Sequence, residues 1–154
     1  MSNPRINWNE ASPAAQRAVF ALEGHVRMKS GLDRKLVELV YLRVSQINGC
    51  AYCIDMHSKD LLAAGETTDR LSLLMVWREA PCFSAREQRA LAWAEAVTEL
   101  GAEGVSDALY GATREEFGDA LLVELTLAVA TINVWNRLGV SFRLAPGAYQ
   151  PAHK

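Results

Sequence analysis

Three cysteines in 154 residues are too few, and odd in number, for a disulfide framework. There is no excess of charge of either sign: 16 Lys and Arg are interspersed with 18 Asp and Glu, for a net charge of -2. That balance carries no electrostatic footprint for nucleic acid or for an anionic membrane surface, so neither is expected as a partner. Met1 to Glu10 hold no basic segment followed by an apolar run, so no secretory signal is expected and the cytosol is the expected compartment. The longest apolar run, Ala120 to Trp135, is interrupted by Glu124 and is too short to cross a bilayer; it reads as a core helix. Strand-like alternation, a glycine-rich phosphate loop and a Ser-His-Asp set are all missing. In a reducing cytosol thiols stay free, so the cysteines that are present are more readily catalytic or redox-active than structural.

What is present is apolar and helical. Half the residues are hydrophobic, enough for one domain with its own core. We expect a single domain over 1–154, with a core of about 12–140 and a tail of 144–154. Ser12-Pro13 opens a helix to about Met28, with Val19, Phe20 and Leu22 facing inward and the lone His25 given no role. Asp33 caps a helix to about Asn48 that is apolar nearly all round, and therefore buried. Gly49 ends it and lets the chain turn back, so the next helix, Cys50 to Ala64, forms a helical hairpin with it. Thr67 or Thr68 caps a short helix through Val76. Ser84-Ala85-Arg86-Glu87 is a capping box for a helix to about Leu100, with Leu91, Trp93, Ala94 and Val97 inward. Further helices run from about Ser106 to Phe117-Gly118 and from Asp119 to about Leu138. The last has so little polar face that one side is expected to meet another subunit.

The chemistry concentrates in Cys50-Ala51-Tyr52-Cys53-Ile54-Asp55-Met56-His57. On a helix, positions 50, 53 and 57 share one face, so two thiols and an imidazole converge. A thiol attacks peroxides or disulfides as thiolate, and helix N-termini, an adjacent imidazolium and a Cys-x-x-Cys pairing all lower its pKa. Once one sulfur is oxidised to sulfenic acid, a thiol one turn away can close a disulfide before the damage becomes irreversible. The spacing thus encodes a peroxidatic and resolving pair, or a dithiol exchanger. The helix N-terminus favours Cys50 as the more acidic thiol, whereas His57 four residues on favours Cys53. Two blander readings stand beside this one. Cys50, Cys53 and His57 could supply three ligands of a tetrahedral zinc site, but the remaining Cys82, His25 and His153 form no second ligand pair. Cysteines on a helix face can also be small core hydrophobes. Glu38 is conspicuous in its apolar helix: it serves either proton transfer or an ion pair, for instance with Arg34 one turn earlier. Cys82, and the polar group Asn133 to Arg137, read as structural.

Glu38, eleven residues, then Cys50-Ala51-Tyr52-Cys53, three residues and His57 resembles the active-site signature of the AhpD-like alkylhydroperoxidases of the carboxymuconolactone decarboxylase family. The likeness extends through Arg89 to Ala96, Leu122 to Leu125 and Ile132 to Arg137. It implies an all-α bundle assembled into trimers or hexamers, and a dithiol that reduces alkyl hydroperoxides with no metal, haem or flavin. Carried over by position, Cys53 is the sulfur oxidised, Cys50 the proton donor and resolving thiol, and Glu38 and His57 the proton relay. An external dithiol or protein reductant, of lipoyl or thioredoxin-like kind, would restore the pair. Tyr52 stands where some relatives carry a histidine, and the decarboxylase branch generally lacks the cysteine pair. A non-peroxidatic redox or stress-sensing module is the alternative for the same dithiol; a metal-binding protein or a lactone decarboxylase fits it less well.

Overall fold

Helices begin in this chain where a side chain can satisfy a backbone N–H that has no helical partner. Ser12 accepts from Ala15, Asp33 from Leu36, Thr67 from Arg70 and Ser106 from Leu109, at 3.0–3.4 Å. Ser84 and Glu87 close the expected capping box in both directions. The computed structural model describes residues 3–151, so His153 lies outside the described residues. Its elements are α1 (Trp8–Ala11), α2 (Pro13–Lys29), α3 (Arg34–Asn48), α4 (Ala51–Ala63), α5 (Thr68–Leu73) followed by a 3-10 turn (Leu74–Val76), α6 (Ala85–Thr98) and α7 (Asp107–Phe142). No strand occurs among the described residues, and the expected all-α bundle is what forms.

Helix α3 runs through the middle and packs on α4, α6 and α7. Its all-round apolar surface serves two clusters at once. Val37, Val40 and Val44 join Val26 of α2, Ala90 and Ala94 of α6 and Leu125, Val129 and Ile132 of α7. Leu39 and Leu42 join Leu61, Leu74, Trp77 and Leu91 on the other side. A helix clamped on both faces is a rigid base for a site, and Glu38 stands on it between the two clusters.

Helix α7 is broken at Gly118, where φ is 72° and ψ 168°, which reproduces the two helices expected there; the second continues to Phe142. By length and composition α7 is apolar enough to cross a membrane, but Leu122, Leu125, Ala128, Val129 and Ile132 are spent on the core. Val123, 67 % exposed, and Val140 point outward on the same helix.

Two expectations need correction, and one residue is new. Phe20 does not face inward: it is 53 % exposed and stands edge-on to Trp135, with ring centroids 5.3 Å apart, while Val26 provides the buried contact of α2. The Asn133 to Arg137 group is structural only in part. Asn48 donates to Asn133 and Asn136 at 2.9 Å, and Asn136 donates to Ser45 at 3.0 Å, so amides clamp α3 to α7; Trp135, however, turns to the site described below. Glu95, unremarked in the sequence, is buried on α6 and accepts from Arg43, Arg78 and Trp77. Burial works to raise its carboxyl, and those hydrogen bonds outweigh it and hold its pKa below the ordinary value.

Candidate active site

The α3–α4 hairpin builds the site. Gly49 takes a left-handed conformation (φ 67°), which closes α3 through its own N–H and reverses the chain within one residue. Cys50 therefore becomes the N-cap of α4, and its sulfur accepts the backbone N–H of Cys53 at 3.4 Å. Cys50 and Cys53 are joined as a disulfide, with Cα atoms 5.3 Å apart, and are 1 % and 3 % exposed. Cys82 is a free, half-buried thiol in the loop before α6. It does not line the cavity that Cys53 opens onto; it packs against the cluster of Leu39, Leu74 and Leu91, and its backbone carbonyl accepts from Arg70.

Two turns of α4 bring His57 under α3, where its Nδ1 lies 2.7 Å from Oε2 of Glu38; both residues are buried. An ionised carboxylate only accepts, so Nδ1–H is the donor and Nε2 carries the lone pair in the neutral ring. Nε2 is itself buried and has no hydrogen-bond partner. The edge of the Tyr41 ring, centroid 5.2 Å away, keeps the imidazole upright. The other Glu38 oxygen is held by Arg27, not by Arg34 as its spacing allowed. Arg27 in turn binds Glu23, whose second oxygen accepts from Tyr41 at 3.2 Å and from Trp135 at 3.0 Å. Burial acts to raise the Glu38 carboxyl, but the hydrogen bond and charge of His57 and the charge of Arg27 prevail, so its pKa is lowered. Burial likewise acts to lower the Arg27 guanidinium and is overcome by Glu38 and Glu23, which raise it. The Tyr41 hydroxyl is raised, by burial first and by Glu23 next, and so stays neutral as a donor. The network thus presents one fixed carboxylate to one face of His57.

His57 and Cys53 both line a cavity of about 580 Å³. Trp8, Phe20 and Trp135 form an aromatic wall, and Tyr52 and Met56 extend it along α4. The tail closes the far side: Lys59 donates to the carbonyls of Gly147 and Tyr149, Asp55 accepts from Gly147, and Tyr149 donates to Asp60 at 2.7 Å. Glu38, His57 and Asp60 have donor atoms within 4.8 Å of one another, a spacing a cation could use. Both Glu38 oxygens are already taken, one of them by a guanidinium, so the set suits proton transfer better than metal binding. All four site residues expected from the sequence, Cys50, Cys53, His57 and Glu38, come together. Those it missed are Glu23, Arg27, Trp135 and Tyr149. The Glu23–Arg27 spacing of four residues on one helix was a visible pair signal, but nothing in the sequence tied that pair to Glu38.

Gly139 of α7 lies directly over the disulfide: a Cβ built there would stand 2.8 Å from Sγ of Cys50 and 3.5 Å from Sγ of Cys53. In the dithiol the Cys50 sulfur can rotate away, whereas the disulfide holds it in place. Gly139→Ala is therefore expected to disfavour the disulfide relative to the dithiol by about 1–3 kcal/mol, the usual cost of overpacking. Titration against a glutathione redox buffer measures this; an unchanged potential would show that α7 gives way freely.

Fold and site together define an all-helical protein in which a buried Cys-x-x-Cys pair adjoins a Glu–His dyad at an aromatic cavity. The sequence pattern of the carboxymuconolactone decarboxylase family matches residues 13–96, and the chain belongs to that family as an AhpD-like member. The chain is 36 % identical over 137 residues to the uncharacterized protein YdfG of Bacillus subtilis, covering 89 % of this chain and 92 % of that one. A crystal structure of a protein of unknown function from Agrobacterium tumefaciens, described with a suggested role as the antioxidant defence protein AhpD, superposes with a TM-score of 0.90. It is 40 % identical, over 96 % of this chain and 100 % of that chain. The alkyl hydroperoxide reductase AhpD of Rhodopseudomonas palustris is 51 % identical over 47 residues, which are 30 % of this chain and 26 % of that protein.

Proposed function

We propose that this protein is a peroxidase-type oxidoreductase that reduces alkyl hydroperoxides through a Cys50/Cys53 dithiol–disulfide cycle, with Glu38 and His57 relaying protons. The observation that carries the reading is that Cys53 and His57 line one cavity, while Nδ1 of His57 is committed to Glu38 and its Nε2 has no hydrogen-bond partner. In the reduced protein Nε2 takes the Cys53 proton, and Glu38 stabilises the resulting imidazolium. The thiolate attacks the O–O bond of the peroxide; an S–O bond forms, and the leaving alkoxide takes the proton back from Nε2 as the alcohol. The Cys50 thiol then attacks the Cys53 sulfenic acid, forming the disulfide and releasing water. An external dithiol restores both thiols. Sulfur, imidazole and carboxylate suffice for every step, so the cycle calls on no metal or organic cofactor.

The similarity to AhpD proteins and the aromatic wall of the cavity support an organic, apolar hydroperoxide. The outward Val123 and Val140 of α7 support assembly of the single domain, residues 1–154, into a homo-oligomer, a trimer or hexamer. The need to regenerate a dithiol supports a reducing compartment such as the cytosol. The reading is tested by incubating the reduced protein with cumene hydroperoxide and dithiothreitol and following peroxide loss. Sustained turnover well above the thiol-only rate is expected. A reversible disulfide without turnover would leave the dithiol real and move the function to redox sensing.

A further inference from the structure

Two arginines line the cavity, and the network of the site uses only one of them. Arg27 takes the Glu38 oxygen that the four-residue spacing on α3 offered to Arg34, and it binds Glu23 as well. Arg34 is left exposed, and among the described residues no carboxylate or carbonyl pairs with its guanidinium. The helix does not explain it either: Arg34 is the first residue of α3, where a positive charge opposes the helix dipole. The acidic side chains that share the cavity already have donors. Glu23 accepts from Arg27, Tyr41 and Trp135, and Asp60 accepts from Tyr149 at 2.7 Å. Of the charged groups in the cavity wall, Arg34 alone lacks a partner among the described residues.

Its place along the cavity defines what it would hold. Helices α3 and α4 run antiparallel through the Gly49 turn, so the turns of α4 that follow Cys53 lie beside the turns of α3 that lead back to Arg34. His57, one turn beyond Cys53, meets Glu38, and Arg34 stands one turn beyond Glu38. Two steps of four residues, at about 1.5 Å per residue, set Arg34 roughly 12 Å along the hairpin from Cys53. An extended chain of about ten bonds covers that span, since three bonds of a stretched backbone reach about 3.5 Å. The rest of the lining is largely apolar, with Trp8, Phe20 and Trp135 on one wall, Met56 on α4 and Leu144 in the tail. The volume of about 580 Å³ falls within the range of about 300–1,000 Å³ that encloses a small organic molecule.

We propose that the hydroperoxides reduced at this site carry a carboxylate, as fatty-acid hydroperoxides do, and that Arg34 binds it while the apolar chain lies on the aromatic wall. This rests on the peroxidase reading above and names its substrate class. A planar guanidinium and a carboxylate match in two parallel N–H···O bonds, and that fork discriminates against a neutral ester or alcohol of the same length. The hydroperoxide end of such a molecule is matched by the buried Nε2 of His57, which has no hydrogen-bond partner and belongs to the same cavity as Cys53. A charged anchor at one end and an apolar wall along the chain thus set which carbon of the substrate stands at the sulfur.

The test separates recognition from chemistry. Trp8 and Trp135 line the cavity, so intrinsic fluorescence reports its occupancy by three probes of one chain length and different headgroup: decanoate, 1-decanol and decyltrimethylammonium. Decanoate is expected to bind the wild type at least about threefold more tightly than decanol, with an affinity that falls as salt is added. In Arg34→Gln the preference for decanoate is expected to disappear, and binding of decanol shows that the cavity is intact. A preference that survives in Arg34→Gln, or none in the wild type, overturns the proposal. So does tighter binding of decyltrimethylammonium, which would mean that Asp60 and the aromatic wall select a cation. In turnover, kcat/KM is expected to favour linoleic acid hydroperoxide over its methyl ester at least about threefold in the wild type and not in Arg34→Gln; an ester as good as the acid overturns the proposal. The binding probes contain no peroxide, so a failed peroxidase assay leaves their result standing, and equal binding of all three leaves the peroxidase reading untouched.

Discussion

Cys53→Ser is expected to abolish peroxide turnover. A serine hydroxyl at the cavity has a pKa far above the working pH and no sulfur to oxidise, so the loss is complete within the sensitivity of the assay and not a partial decline. Cys50→Ser is expected to lose steady turnover as well, but for a different reason. Cys53 still reacts once with peroxide, and its sulfenic acid then finds no thiol one turn away. One equivalent of peroxide is consumed, and a dimedone adduct appears on Cys53. Continued oxidation to the irreversible sulfinic acid follows at higher peroxide. The pair of variants separates the two sulfurs: equal stoichiometric bursts in both, or a dimedone adduct on Cys50 in the Cys53→Ser protein, would reverse the assignment. The tension between helix position and imidazole proximity is resolved, in this proposal, by the cavity, which reaches Cys53 and not Cys50.

Glu38→Gln is expected to lower turnover about 100-fold, the smaller end of the range for general acid–base groups. The amide oxygen can still accept the Nδ1–H bond, so the ring keeps its orientation. What is lost is the negative charge 2.7 Å from His57 that stabilises the imidazolium formed when Cys53 ionises. The defect should therefore lie in the ionisation of Cys53 and slow diamide-driven disulfide formation as well as the peroxide step. A loss of less than about threefold would remove Glu38 from the relay. The same variant has a signature in stability. The Glu38 pKa is lowered in the folded protein from its ordinary 4.5. A lowered carboxylate contributes stability that is fully present above the ordinary value and is lost as pH falls through the folded one. The stability difference between wild type and Glu38→Gln is thus largest near neutrality and shrinks as pH falls below about 4.5, because a protonated carboxyl and an amide are alike in charge. Urea unfolding across pH 3 to 7 measures it. A difference that stays constant over that range would mean that the carboxylate contributes nothing through its charge.

Asp60 and Tyr149 show how the tail enters the site. Lys59 and Asp55 of α4 fasten the chain at Gly147 and Tyr149, and that anchorage carries the tyrosine into the cavity wall. A tail with two prolines and a glycine reads in sequence as a segment that crosses the surface or embraces a neighbour. Its docking depends on polar groups of α4 that sit at ordinary helix-surface spacing, where nothing marks them as anchors.

The local features of this chain were legible because short-range physics governs them. Caps at Ser12, Asp33, Ser84 and one of Thr67 or Thr68, a helix start near Ser106, and the left-handed stop at Gly49 follow from side-chain and backbone preferences within a few residues. The convergence of Cys50, Cys53 and His57 follows from 3.6 residues per turn. Burial of α3 follows from its unbroken apolar surface. The sequence by itself therefore determined the all-helical bundle, the hairpin and the thiol–imidazole face. Only the tertiary structure decided that Glu38 meets His57 and Arg27 instead of Arg34, that Phe20 and Trp135 wall a cavity, and that Gly139 seals Cys50. Each of these depends on how one helix is rotated and set against another. That arrangement is determined by the packing of whole faces, for which no spacing within a single helix carries the information.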